Sequence, residues 1–349
     1  MTHSLYHAVP EQLVPLNDPE SGLSGVIAIH STALGPGAGG CRLWRYDSDE
    51  AAHRDALRLA HGMSYKNALA GLPLGGAKAV LRVPDGNWDR RALFAAFGRA
   101  VAALGGRYVT AEDVGTRVAD MAVVAEQTRH VAGLTARPGL AGGDPSPWTA
   151  LGIFEAMRVA ARHTLGAEFA DLTVAVQGTG NVGAGLCRLL ADAGARLVIA
   201  DIDPARRDVL ARVHDARVVA VEDIVAARAD VFAPCALGGV LDASTVARLQ
   251  ARLVCGGANN QLAAPEVAEQ LRDRGIAYVP DYVANAGGII NVSAEYLGES
   301  HDAVASRVAA IGPRVHAILD QAVREAVSPA LVADRMAADI LQRARGRAA

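Results

Sequence analysis

Hydrophobic positions in the second two-thirds of the chain fall in short, β-branched runs: LTVAVQG, RLVIAD, RVVAV, DVFAP, RLVCGG and IAYVP. Stretches of helical length separate them. Six such strands with crossover helices predict a doubly wound parallel sheet. The first third is patterned differently. GVIAIHS (25–31) reads as a strand and is followed by the glycine loop TALGPGAGG. Ser48, with Asp49 and Glu50 behind it, caps a helix that runs to about Ala70 and stops at Gly71. Ala52, Ala56, Leu59, Ala60 and Met63 recur at helical spacing, and Lys66 is expected to continue their buried stripe. The strand AKAVLRV, a helix over 89–104, a strand RYVTA (107–111) and a helix from about Thr116 to His130 follow. Residues 130–147, HVAGLTARPGLAGGDPSP, are rich in glycine and proline and lack periodicity, as expected of an interdomain connection. The pattern therefore predicts an α/β chain with an N-terminal domain over 1–140 and a Rossmann-type domain from 141 on.

Composition narrows the function classes. With 51% hydrophobic residues in 349, the chain can bury large cores. Its net charge of -3 offers no footprint for nucleic acid or an anionic membrane. No apolar run reaches the ~20 residues of a membrane helix, and MTHSLYHAVPEQ lacks the marks of a signal peptide, so a cytoplasmic protein is expected. Cys41, Cys187, Cys235 and Cys255 match no metal or redox spacing, so no metal site is implied. The basic residues carry the sharper signal. Of 34, only Lys66 and Lys78 are lysines, and both lie in one 13-residue stretch beside a glycine cluster. Arginine keeps its proton in proteins, whereas a buried lysine can release it. Chemistry is the reason to keep a lysine here.

Gly178-Thr179-Gly180-Asn181-Val182-Gly183 follows a strand, opens a helix and is answered by Asp201 at the next strand's end, 18 residues after Gly183. In that context the motif reads as a dinucleotide fingerprint. A carboxylate at the ribose favours NAD over NADP, although Arg206 and Arg207 stand nearby. Asp113, in the turn EDVG after a strand, occupies a position where α/β domains commonly place active carboxylates.

Seven blocks then resemble the amino-acid dehydrogenases of the glutamate dehydrogenase superfamily, in the leucine, valine and phenylalanine branch. They are HSTALGPGAGGCRLW, GMSYKNALAGLPLGGAK, GGRYVTAEDVGT, VQGTGNVG, DVFAPCALGG, GGANNQL and PDYVANAGGIINV, in order along nearly the whole chain. The resemblance implies an N-terminal catalytic and oligomerisation domain, a C-terminal NAD domain, a substrate cleft between them, and a final segment, 326–349, returning towards the first domain. It assigns Lys78 and Asp113 to catalysis and Lys66 and Asn259 to the substrate carboxylate. Gly39, Gly40, Ala38, Ala111, Ile289 and Val292 would lie around the substrate, and Thr149, Ala236, Asn285 and Arg42 around the cofactor. The implied reaction is NAD-dependent, reversible oxidative deamination of an apolar L-amino acid, leucine, valine or isoleucine first, by a homo-oligomer. A phenylalanine dehydrogenase is the alternative. A glutamate dehydrogenase would need a cation or hydroxyl where Ala38 and Val292 stand, and an inactive NAD-binding sensor would not need both lysines and Asp113.

Overall fold

The computed structural model describes residues 9–135 and 139–348, so part of the glycine- and proline-rich connection, 136–138, lies outside the described residues. The chain divides into two compact units. The first takes residues up to 144 together with 291–303 and 337 onward, and the second takes 145–290 and 304–336.

In chain order the first unit runs β1 (Gln12–Asp18), β2 (Leu23–Ser31), β3 (Gly37–Ala38), β4 (Cys41–Trp44), α1 (Asp49–Leu69), β5 (Gly75–Arg82), α2 (Arg90–Ala103), β6 (Tyr108–Val109) and α3 (Val118–Ala125). Its mixed sheet has the order β1-β2-β5-β3-β6, with β4 also on β5. β1 and β2 pair antiparallel, as do β2 and β5, whereas β3 and β4 run parallel to β5. Alternation along β5 sorts its side chains between two cores. Ala77, Ala79 and Leu81 join Ile27, Phe94, Phe97 and Tyr108 on one face, and Val80 joins Val26, Ala28 and the α1 residues Ala52, Ala56 and Ala60 on the other. Lys78 has even parity and so belongs to the α1 face.

The structure departs from the pattern-based expectation in several places. β1 carries Pro15, which suits an edge strand, and although its burial alternates at every residue its sequence QLVPLND does not, which hides it from a search for apolar runs. The glycine loop contains the two-residue β3, held between β5 and β6. The expected strand 107–111 shrinks to Tyr108–Val109, and the helix expected over 116–130 is only Val118–Ala125.

The second unit contains α4 (Ser146–Leu165), β7 (Thr173–Gln177), α5 (Asn181–Asp192), β8 (Arg196–Ala200), α6 (Pro204–His214), β9 (Arg217–Val218), β10 (Val231–Pro234), α7 (Ala243–Arg248), β11 (Leu253–Val254), α8 (Val267–Asp273), β12 (Ala277–Tyr278) and α9 (Asp281–Ala284). All six strands are parallel, in the order β12-β11-β10-β7-β8-β9. Each of the six predicted strands is present. The helix expected between the third and fourth is instead a single 3-10 turn, Ile224–Ala226.

Four further helices follow: α10 (Gly287–Leu297), α11 (His301–Ala309), α12 (Ile311–Glu325) and α13 (Pro329–Ala348). The segment 291–303 belongs with the first unit for a visible reason. The Glu295 carboxylate accepts backbone N–H bonds from Gly133 and Leu134 at 3.0 and 2.9 Å, and Asn291 Oδ1 accepts one from Gly142 at 3.2 Å. The division thus falls four residues after the expected 140/141 cut, and only residues from 337 on, not from 326, group with the first unit.

Gly76 shows how closely α1 approaches β5, since a Cβ there would lie 2.1 Å from the Ser64 backbone nitrogen. Gly76→Ala should destabilise the chain by about 1–3 kcal/mol or more through overpacking, read as a fall in the urea midpoint. An unchanged midpoint would show that helix and strand separate freely.

Candidate functional site

In the first unit the chemistry gathers around Lys78. The residue is 5% exposed, and its Nζ lies 2.9 Å from Asp113 Oδ2. Asp113 is delivered by a turn docked on β4. Leu43 N–H donates to Val114 O at 3.0 Å, and Thr116 Oγ1 accepts the Asp113 N–H at 2.8 Å. Gly115, at φ 82°, closes the turn where a Cβ would strike the Leu43 carbonyl oxygen. Arg42 Nε reaches the same Asp113 Oδ2 at 3.2 Å, and its NH1 pairs with Asp55 at 2.9 Å. Asp55 also accepts from Tyr46 OH and from Arg58. Burial alone would lift the Asp113 pKa, but the Lys78 and Arg42 cations hold it below the usual carboxylate range.

The other expected residues of this unit surround that pair unevenly. Lys66 does not continue the buried row of α1, which is Ala52, Ala56, Ala60, Ser64 and Asn67. With Leu59 and Met63 it forms the half-buried flank beside that row. Ser64 takes the buried position because the glycines at the start of β5 leave room for it. Gly39 and Gly40 admit no side chain: a Cβ would lie 1.8 Å from Ala77 O at the first and 2.9 Å from Asp113 Cβ at the second. Ala38 and Ala111 are buried and Val292 is half-buried. Sequence reasoning missed Asn67, whose Nδ2 donates to Gly75 O at 2.6 Å and fixes the strand entry. It also missed Asp55 and Tyr46, because partners on separate elements leave no spacing signal.

In the second unit the fingerprint sits where strand order reverses, between β7 and β10. Each glycine has its own cause. Gly178 takes φ 92° and would clash with Ala236; Gly183 would strike Gly178 O; Gly180 faces open space within 4 Å. A tight turn, close helix packing and free backbone approach are the three requirements of a pyrophosphate loop at a helix N-terminus. Asn181, Val182 and Gly183 form the first turn of α5. Asp201 accepts from Thr179 Oγ1 at 2.9 Å and from Asp203 N–H at 2.7 Å. Burial works against its charged form, but these bonds keep its pKa lowered. Asn285 is buried and donates to Asn259 Oδ1 and Gly257 O at 2.9 and 3.1 Å, while its own Oδ1 is buried without a hydrogen-bond partner. Thr149 donates to Pro145 O at 3.0 Å, one turn into α4, and Ile289 is half-buried near the start of α10. The open Gly180 backbone and the orphaned Asn285 oxygen are the features a dinucleotide with a carboxamide would use. The residues fit that cofactor.

Comparison with known proteins places the chain in a family. Residues 10–130 match the dimerisation domain of the Glu/Leu/Phe/Val dehydrogenases, and residues 144–205 and 199–344 match the Glutamate/Leucine/Phenylalanine/Valine dehydrogenase family. The chain belongs to the Glu/Leu/Phe/Val dehydrogenase family. Among its relatives, leucine dehydrogenase of Bacillus subtilis is 44% identical over 96% of this chain and 92% of its own length. Valine dehydrogenase of Streptomyces coelicolor is 46% identical over 99% and 96%. The crystal structure of L-tryptophan dehydrogenase from Nostoc punctiforme is 37% identical, covers 96% of this chain and 97% of its own, and gives a TM-score of 0.86. This chain is thus an amino-acid dehydrogenase of the leucine and valine branch, an oxidoreductase acting on CH-NH2 in a family that uses NAD or NADP. Among the described residues no helix is long and apolar enough to cross a membrane.

The depressed Asp113 value sets a pH dependence for this dehydrogenase. The stability Asp113 contributes is present above its unfolded value near ~3.9 and is lost as pH falls through the folded one. Arg42→Ala should raise the Asp113 titration, followed by carboxyl 13C NMR, and shrink the acid-labile part of the stability. A titration unmoved by the substitution would show that Arg42 has no hold on the carboxylate.

Proposed function

We propose that this chain catalyses the NAD-dependent, reversible oxidative deamination of an apolar L-amino acid, with leucine, valine and isoleucine preferred, to the 2-oxo acid and ammonia. The observation that carries the reading is the buried Lys78 ammonium on Asp113, 2.9 Å away. Lys66 binds the substrate α-carboxylate, helped by Asn259. Asp113 takes the proton of the α-ammonium, leaving the free amine. The dinucleotide that the Gly178–Gly183 loop, Thr149 and Asn285 would hold would supply the acceptor for the hydride of the α-carbon. Lys78, once it has given up its own proton, takes a proton from the water that attacks the resulting iminium carbon; Asp113 then returns its proton to the carbinolamine nitrogen and takes the hydroxyl proton as ammonia leaves. Glycines 39 and 40 bring backbone close to the substrate, and Arg42 holds Asp113 from behind.

Asp201 supports NAD over NADP, since a ribose 2'-phosphate would meet its carboxylate. Arg206 is drawn to Asp203 at 3.2 Å, which tempers its pull on such a phosphate. Gly178, Thr179, Gly180, Asn181, Val182, Gly183 and Ala236 hold the dinucleotide, with Thr149 and Asn285 at its nicotinamide. The substrate side chain meets Ala38, Ala111, Ile289 and Val292, which offer a charged group no partner. The small, buried Ala38 keeps an aromatic substrate as the second reading. Relatives named for leucine, valine and tryptophan span the same range. The match to a dimerisation domain supports a homo-oligomer, and the four unpaired cysteines suit the reducing cytoplasm.

Lys78→Arg keeps the charge on Asp113 but removes a releasable proton, so turnover of leucine should fall by about 100-fold or more while NADH binding is retained. Near-normal turnover in that variant would end the Lys78 assignment. Ala38→Leu should raise the ratio of kcat/KM for valine over phenylalanine, because each methylene of fit is worth about 1–3 kcal/mol. An unaltered ratio would place Ala38 away from the side chain.

A further inference from the structure

Within the second unit, α4 and α12 pack closely, with the Gly312 Cβ position 3.0 Å from Val159. One helical turn beyond that contact, on each helix, stands a histidine: His163 on α4 and His316 on α12. Asp320 follows one turn after His316. His163 Nε2 lies 2.8 Å from Asp320 Oδ1 and His316 Nε2 lies 3.3 Å from Asp320 Oδ2, so two imidazoles from two helices address one carboxylate. All three donor atoms fall within 4.8 Å of one another, and no other such cluster occurs among the described residues. His163 Nδ1 is buried without a hydrogen-bond partner, which leaves the Nε2 side as that ring's polar outlet.

We propose that His163, His316 and Asp320 form a binding site for a divalent transition-metal ion, zinc above all, that clips α4 to α12. Two imidazole nitrogens and one carboxylate oxygen are a borderline donor set suited to Zn2+, with water as the fourth ligand. Ligand atoms each about 2.0–2.1 Å from one ion can be no more than about 4.2 Å apart, so the trio must contract slightly. His316 can supply that movement, since its side chain is 57% exposed. The arginines on the α4 side are engaged elsewhere, Arg158 with Glu155 and Arg162 with Glu168. Arg324, one turn after Asp320, adds positive charge that weakens the site without blocking a ligand. The site lies about 21 Å along α4 from Thr149, at 1.5 Å per residue, so its occupancy acts on stability and not on the reacting groups.

The full-length chain, stripped with EDTA and dialysed, is titrated with Zn2+ by calorimetry, and Co2+ serves as a spectroscopic stand-in. One ion per chain, a thermal midpoint that rises with Zn2+, and visible Co2+ bands of a four-coordinate nitrogen and oxygen site are expected. His316→Ala and Asp320→Asn, which keep metal-free turnover as evidence of folding, should each weaken binding by about tenfold or more, since even outer ligand partners cost that much. Absence of stoichiometric binding, or binding of unchanged strength in both variants, would overturn the proposal.

Discussion

A lysine ammonium buried on a strand is tolerable only beside a fixed anion, and the first unit is arranged around that requirement. Lys78 is buried and, by the alternation of β5, lies on the same face as Val80, the face that packs against α1. Its ionic partner, Asp113, comes from the turn docked on β4. Asp113 is held by Arg42, Arg42 by Asp55, and Asp55 by Tyr46 and Arg58. Charges of alternating sign therefore link α1, β4, β5 and the turn. Removing one member of a buried pair costs about 3–5 kcal/mol, because the other charge is then left without compensation. The glycines at 39, 40, 75 and 76 have the complementary task. They let backbone come close enough to build a compact site, since a Cβ at any of the four would collide with a neighbouring segment.

The second unit solves a different problem with backbone rather than charge. Strand order reverses between β7 and β10, the position at which doubly wound sheets take their ligands. Gly178 and Gly183 fit the turn and the helix into a space too small for a Cβ, while Gly180 keeps its outer side open. Asp201 is fixed by bonds to Thr179 and Asp203. Preorganisation of this kind reduces the ordering required when a ligand binds.

Much of this is legible in the sequence because the signals are local. The six parallel strands stand out as apolar runs, and the fingerprint has strand, turn, helix and carboxylate within 29 residues, 173 to 201. The scarcity of lysine singles out Lys66 and Lys78 without any structural knowledge. What escapes depends on contacts between distant segments. β1 carries a proline and becomes a strand only by pairing with β2. Periodicity puts Lys66 in the buried row of α1, yet the helix turns Ser64 to the strand and leaves Lys66 on the flank. The bonds from Gly133 and Leu134 to Glu295, which tie 291–303 to the first unit, join residues about 160 positions apart, beyond any periodicity.

The central claim is that the Lys78 and Asp113 machinery acts on an apolar amino acid with NAD. Initial rates over a panel of L-amino acids, measured with NAD and with NADP, test it most directly. The account predicts that leucine, valine and isoleucine reduce NAD with far higher kcat/KM than glutamate or aspartate, and that NADP is a poor replacement. Preference for glutamate, equal use of both cofactors, or reduction of neither by any amino acid would contradict it.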